Sequence, residues 1–228
     1  YFTADDGING NELWKTDGTA SGTVMVADIR SGSESSYSSQ ATAFGNTLYL
    51  RADDGVHGRE LWKSDGTSSG TVMVKDINNG SGDSYPSYFA NLDGSLFFQA
   101  IGTGDNEYSI WKSDGTESGT VLFKQNASNL RQFGEHIYFN LDDKLWRSDG
   151  SIAGTEMISG THSVWTWHYF ATSDSIYFVE KSPTQPTTYS LLKIDKNSLN
   201  LQALATGLSS VSQLFAIDDT LYFRADDG

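Results

Sequence analysis

Apolar and polar positions alternate in short runs along this chain, and the runs recur. Over residues 47–52, Leu48, Leu50 and Ala52 alternate with Tyr49 and Arg51 in period two, the pattern of a half-buried strand. Kindred runs stand at Tyr1-Phe2, Phe97-Phe98, Tyr138-Phe139, Tyr177-Phe178 and Tyr222-Phe223. Around Tyr49 a full set of elements is legible. Strands are predicted over 39–44, 47–52, 59–63 and 71–77. They are parted by the turn Gly45-Asn46, the polar loop 53–58 and the turn 64–67. Gly and Asn supply the positive φ that tight hairpins require. No window of about a dozen residues holds a 3.6 period free of Gly and turn residues, so no helix is predicted.

The third strand and its turn are close to copies of one another. They read ELWKTDGTASGT at 12–23, ELWKSDGTSSGT at 60–71, SIWKSDGTESGT at 109–120 and KLWRSDGSIAGT at 144–155. The central residues are Trp14, Trp62, Trp111 and Trp146, spaced by 48, 49 and 35, with Leu192 as a degenerate fifth 46 further on. A word copied along one chain is first a scaffold unit and only second a site. Four antiparallel strands recurring every 40 to 50 residues are the signature of a β-propeller blade. The expected fold is therefore all-β: a single five-bladed propeller of four-stranded antiparallel blades. The repeats fall at about 1–36 with 209–228, 37–80, 81–126, 127–160 and 161–208.

YFRADDG at 222–228 nearly repeats YFTADDG at 1–7. Residue 1 opens in the second strand of a blade, and Val211 to Ile217 read as the missing first strand. The C-terminal strands are thus expected to join the N-terminal blade and close the ring. The second strand is then present twice, at 1–6 and 220–227, and either copy could serve. A longer array or a six-blade ring is the alternative. Opening and closing in mid-repeat, the chain is expected to be a piece of a longer one.

These words resemble the ELWxxDGT repeat family of bacterial secreted proteins, across repeats one to four and weakly in repeat five. The resemblance implies a propeller-like β fold and an extracellular or cell-surface location, and no defined catalytic residues. The turn SDGTxxGT also resembles the Asp-box of sialidase-type propellers, which lies between third and fourth strands. Asp17, Asp65, Asp114 and Asp149 occupy the matching place. A carboxylate there accepts backbone N–H bonds and fixes the hairpin, a structural role that stands ahead of ligand contact.

The formal charge of −14 argues against nucleic acid as a partner, because phosphate binding needs a basic patch. It also disfavours anionic membrane surfaces. Such acidity suits a soluble secreted protein or one that binds cations. Cysteine is absent, which excludes disulfides, Cys-ligated zinc and a thiol nucleophile. No apolar run of 18 residues is present, so membrane insertion is not expected. His57, His136, His162 and His168 are scattered, with no HExxH, GxSxG or phosphate-loop word.

Two regions are candidates for chemistry. The loop between second and third strands carries Asp5 and Asp6 in repeat one and Asp53 and Asp54 in repeat two. Calcium takes six to eight oxygens, and these loops could supply several, though not at EF-hand spacing. A solvated turn is the other reading, and no further cofactor is expected. The second region is where the repeats disagree. Repeat five opens with Trp165, Trp167, His168 and Tyr169, unlike its siblings. Aligned on the following strand, the positions equivalent to His168 are Gln40, Tyr88, Asn129 and Gln213. On innermost strands they would ring a channel mouth, where aromatic and amide groups suit a sugar. Strand alternation would put Trp165 and Trp167 on one face and Thr166 and His168 on the other. The competing reading makes both Trp inter-blade filler.

The expected function is thus a non-enzymatic recognition, adhesion or scaffold module that binds an extracellular glycan or protein. A calcium-binding spacer is the alternative. A glycoside hydrolase or lyase is a further one, disfavoured because the inner-strand acids Asp93, Glu135, Asp218 and Asp219 fall at turns.

Overall fold

The computed structural model describes residues 1–158, 163–182, 188–218 and 220–227, without the side chains of 163–169. Among the described residues there is no helix, and none therefore long and apolar enough to cross a membrane. The first sheet has three strands, β1 (Phe2–Asp5), β2 (Asn11–Lys15) and β3 (Val24–Ala27). The second has β4 (Ser39–Phe44), β5 (Thr47–Asp53), β6 (Arg59–Ser64) and β7 (Val72–Lys75). The third has β8 (Ser87–Leu92), β9 (Ser95–Ala100), β10 (Ser109–Ser113) and β11 (Val121–Lys124). The fourth has β12 (Ala127–Phe133), β13 (His136–Leu141), β14 (Lys144–Ser148) and β15 (Thr155–Met157). The fifth has β16 (Ser163–Ala171), β17 (Ser175–Lys181), β18 (Tyr189–Asp195) and β19 (Leu201–Leu208). A two-stranded sheet of β20 (Ser210–Ile217) and β21 (Thr220–Asp226) follows.

In repeat two the first two strands begin where the alternation predicted. The register also fixes the repeat alignment. Trp14 pairs with Phe2, Trp62 with Leu50, Trp111 with Phe98 and Trp146 with Phe139. Leu192 pairs with Phe178, so it holds the Trp position of repeat five.

The chain divides into two compact units, Tyr1–Ser128 and Asn129–Gly228. In the first unit, β5 is buried on both faces, and period two sorts its side chains between two cores. Leu48, Leu50 and Ala52 pack with Leu13, Val26, Ala27 and Ile29 of the first sheet. Tyr49 joins Leu61, Val74, Leu96 and Phe98, which bridge the second and third sheets. Each large apolar side chain so buried contributes about 1.5–3 kcal/mol. In the second unit, Tyr138 and Leu145 pack on Ile176, Phe178 and Leu192. Tyr177, Val179 and Leu191 pack on Val211, Leu214 and Leu221. Within each unit, sheets that follow one another in sequence thus bury faces against each other, the arrangement that repeats require.

Of the two copies of the second strand, it is the C-terminal one that pairs with β20. β20 pairs with β21, with Val211 opposite Ala225, and the first sheet remains three-stranded. The reason is local: a tight hairpin closes at far lower entropic cost than a pairing with the distant N-terminal strand. Because β21 repeats the β1 word, it fits beside a first strand as β1 would.

Candidate functional site

Each complete sheet has two ends. One holds the turns between first and second and between third and fourth strands. The other holds the loop between second and third strands and the connection to the next sheet.

At the turn end, SDGTxxGT forms the same hydrogen-bonded knot each time. The Thr67 N–H and hydroxyl donate to Asp65 Oδ1 at 2.9 and 2.7 Å. The same pair of bonds joins Thr19 to Asp17, Thr116 to Asp114 and Ser151 to Asp149. These donors hold all four Asp carboxyls below the usual carboxylate range. The two glycines of the word have different causes. Gly66 sits at φ +87°, which its lack of a Cβ permits. Gly70 lies against the Asp65 carboxylate, where a Cβ would collide. The motif Lys reaches the next sheet: Lys15 Nζ donates to the Gly66 carbonyl at 2.7 Å and Lys63 Nζ to that of Gly115 at 2.9 Å. In these copies the Asp and Thr or Ser thus fix the turn, and Lys15 and Lys63 tie it to the next sheet.

At the connection end, the motif Glu is buried and anchors the connecting segment. Glu60 accepts from Ile77 N–H (2.9 Å), Asn78 N–H (3.3 Å) and the Ser84 hydroxyl (2.6 Å). Glu12 accepts from Ile29 and Ser36 N–H, both at 3.0 Å. Burial pushes the Glu60 carboxyl up to about 7, although Ser84 and the backbone donors work the other way. Burial likewise raises Glu12. Two tyrosines on the anchored segments, Tyr37 and Tyr85, adopt left-handed φ of 52° and 49°. Bulky residues rarely take that conformation, and it survives only where surrounding structure enforces it.

A cavity of about 370 Å³ opens here in the N-terminal unit. Thr3 and Asn11 border it from the first sheet, and Ser35, Tyr37 and Ser38 from the connection. Ser39, Arg51 and Arg59 border it from β4, β5 and β6. Its size falls in the range of small-molecule sites, about 300–1,000 Å³. Arg51 stands opposite Ser39 and donates to its hydroxyl through Nε (3.2 Å) and Nη2 (3.0 Å). Arg59 lies over the Tyr37 ring at 4.6 Å and near that of Tyr85 at 5.6 Å. Its Nη1 forms an ion pair with Asp83 Oδ2 at 3.8 Å, and its backbone N–H donates to Asp83 Oδ1 at 2.7 Å. Burial and the adjacent Arg59 charge both lower the pKa of Arg51.

The loop carboxylates considered for a cation are engaged with their own loops. Asp5 Oδ1 accepts from Gly7 N–H, and Asp6 Oδ1 from Ile8 and Asn9 N–H. Asp54 Oδ1 accepts from Val56 and His57 N–H, and its Oδ2 lies 2.7 Å from His57 Nδ1. Asp53 caps Gly55 N–H and pairs with Arg30 at 2.8 Å. Among the described residues no group of three or more His, Cys, Asp or Glu is gathered as for a metal ion.

The positions aligned along the first strands share a backbone feature the alternation pattern did not reveal. Gln40, Tyr88, Asn129 and Gln213 all have left-handed φ, between 53° and 58°. In β4, Gln40 and Ala41 together oppose Leu50, a bulge of one extra residue. Tyr88 and Gln213 begin the same bulge in β8 and β20. Gln40 and Tyr88 belong to one unit and Asn129 and Gln213 to the other. Gln40 adjoins Ser39 of the cavity without lining it. Trp165, Trp167, His168 and Tyr169 lie on β16, and their side chains are outside the described residues. The backbone pairing of this strand shifts register within the segment. Trp165 pairs with Val179 and Tyr169 with Phe178, leaving Thr166 to His168 unpaired with β17.

Arg51, Arg59, Tyr37, Tyr85 and the anchoring glutamates were not singled out by the sequence. A signal existed for the arginines. At the Arg51 position, repeats one, three and four carry Thr3, Gln99 and Asn140, and at the Arg59 position Asn11, Tyr108 and Asp143.

No protein-family model and no curated protein matches this chain. Solved structures do resemble it. A puromycin hydrolase mutant matches at 15% identity and TM-score 0.53, over 82% of this chain and 31% of that one. A structure from work on two prolyl endopeptidases matches at 12% and 0.54, over 91% and 33%. Oligopeptidase B from Trypanosoma brucei with covalently bound antipain matches at 13% and 0.54, over 84% and 31%. The chain spans about a third of the length of these proteins. Likeness at this identity shows the fold alone, an all-β fold of the β-propeller kind.

Proposed function

We propose that the chain is a non-enzymatic recognition module of an extracellular protein, which binds a glycan in the cavity between its first two sheets. The observation that carries this reading is the lining of that cavity. Thr3, Ser35, Ser38, Ser39, Asn11 and Tyr37, residues that carry hydroxyls, an amide and an aromatic ring, line it on strand ends and an anchored connection. Hydroxyls and amides exchange hydrogen bonds with sugar hydroxyls, and an aromatic face stacks on a sugar ring. Rigid elements hold such groups more closely than free loops do. The extracellular placement rests on the resemblance to ELWxxDGT-repeat proteins.

The same proposal includes a ring of five blades. The first sheet supplies second, third and fourth strands, while β20 has the sequence of a first strand. The absence of native cysteine makes the ring testable. Ser212 pairs with Arg224, and Thr3 is the repeat equivalent of Arg224. If β1 exchanges with β21, a Ser212→Cys, Thr3→Cys protein oxidises to an intramolecular disulfide. Persistent free thiols in that protein would speak against the ring.

Glycan-array binding of the intact chain, repeated with Tyr37→Ala and Asn11→Ala, tests the function. Binding to a subset of glycans that weakens in both variants is expected. Failure to bind any glycan would sink the reading.

A further inference from the structure

We propose that the Arg51–Arg59 cavity selects an anionic sugar, one whose carboxylate or sulfate sits against the two guanidinium groups. The inference rests on the glycan reading above and names the ligand class for the same site.

Two cations have been brought together in a chain whose formal charge is −14. Placing them side by side costs free energy, because burial and the Arg59 charge both disfavour the charged form of Arg51. Asp83 offsets part of this, and the carboxylate of Asp53 is committed elsewhere. Asp53 is paired with Arg30 at 2.8 Å, and Asp83 forms one ion pair with Arg59 at 3.8 Å, so two guanidinium groups share a single free-facing carboxylate. Strand register shows how the pair arises. Arg51 faces Leu61 across β5 and β6, and Arg59 faces Asp53, so the arginines lie two positions apart on one face.

Their orientation is held from several sides. The Ser39 hydroxyl accepts two bonds from Arg51, and the rings of Tyr37 and Tyr85 flank Arg59. Those tyrosines are themselves held in left-handed conformations on segments that Glu12 and Glu60 anchor. A guanidinium fixed in plane presents paired N–H donors, which match the two oxygens of a carboxylate or sulfate. The hydroxyl and amide lining beside it suits the rest of a sugar better than an apolar or peptide side chain. Thr3 and Asn11 in repeat one and Gln99 and Tyr108 in repeat three are neutral at the equivalent places, so neither repeat carries such an arginine pair.

The test is calorimetric titration of the intact chain with trigalacturonate, a sulfated galactotriose, neutral galactotriose and hexaglutamate. At least one anionic sugar is expected to bind well above galactotriose, and the better of the two identifies carboxylate or sulfate as the group read. Its affinity should fall about tenfold or more in Arg59→Gln and in Arg51→Gln, as for loss of a charge-assisted hydrogen bond. Arg59→Lys, which keeps charge without the fork, should recover only part. Unchanged melting of the variants separates these losses from misfolding. Equal affinity for neutral and anionic sugars overturns the inference, as does indifference to both arginine substitutions. Tighter binding of hexaglutamate than of any sugar overturns it in favour of an acidic peptide. If neutral sugar binds and is lost only in Tyr37→Ala, the glycan reading stands and this inference falls. If no sugar binds, both fall.

Discussion

At the end of β6 that carries residues 64–71, repeat two is a near copy of repeats one and three. At the end that carries Arg59, it is not. The copied end spends its polar groups on itself: Asp65 on Thr67, Ser64 on Thr71 at 2.7 Å, and Lys63 on the neighbouring Gly115 carbonyl. The other end anchors its backbone with a buried Glu60 and leaves Arg51, Arg59 and Tyr37 around a cavity. What is alike in every repeat holds the sheets together. What differs in one repeat is free to recognise something.

The two ends should also answer pH in opposite directions, and this is the largest effect expected. The Glu60 carboxyl is raised to about 7 from an unfolded value near 4.5. Its contribution to stability is therefore complete below about 4.5 and is lost as pH rises through about 7. The shift corresponds to roughly 3 kcal/mol. Urea unfolding at pH 5 and pH 8 should show that loss, and Glu60→Gln should flatten it. A wild-type stability that holds steady or climbs over this interval would contradict the assignment. The turn aspartates run the other way. Their pKa values are lowered by Thr or Ser hydroxyl and N–H donors, so their contribution is present above 3.8 and lost as pH falls further.

A glycine pair gives the next effect. Gly70→Ala drives a methyl into the Asp65 carboxylate and should cost about 2 kcal/mol, as overpacking does. Gly80 lies in the connection at φ +89° with open space around it, so Gly80→Ala should cost only about 1 kcal/mol of backbone strain. Thermal melts of the two variants compare the ends directly. Equal melting temperatures would mean that the turn knot is no tighter than the connection.

The smallest effect on stability belongs to Arg59→Gln. Arg59 is half-buried and stacked, not packed in a core, so its loss should move stability by under about 0.5 kcal/mol. A much larger loss in a denaturant melt would make the arginine a structural prop and blur the contrast between the ends.

Much of the fold was legible because alternation and turn chemistry act locally. Leu48, Leu50 and Ala52 face one core and Tyr49 the next, as period two requires. Leu192 was recognisable as a worn Trp position from spacing alone, and its pairing with Phe178 agrees. Strand pairing at the termini was less legible. The β1 and β21 words are nearly identical, and sequence likeness cannot choose between two equivalent partners for β20. The bulges at Gln40, Tyr88 and Gln213 were also hidden, since Gln and Tyr do not advertise a left-handed φ as Gly does. The site was the least legible part. The conspicuous departure is in repeat five, where the common word fades, whereas Arg51 and Arg59 interrupt the second repeat, which otherwise keeps the pattern. Single substitutions inside a well-kept pattern become visible only when Arg51 is set against Thr3 and Gln99. Their convergence with Tyr37 depends on a connection whose path Glu12 and Glu60 determine.

The central claim is that recognition belongs to the connection end of the second sheet. The most direct measurement is a two-dimensional amide NMR titration of the intact chain with trigalacturonate and the sulfated galactotriose. Shifts concentrated at Ser35, Tyr37, Ser39, Arg51 and Arg59, with the amides of 64–71 unmoved, are predicted. Shifts centred on residues 64–71 or 165–169, with Arg51 and Arg59 silent, would contradict the account.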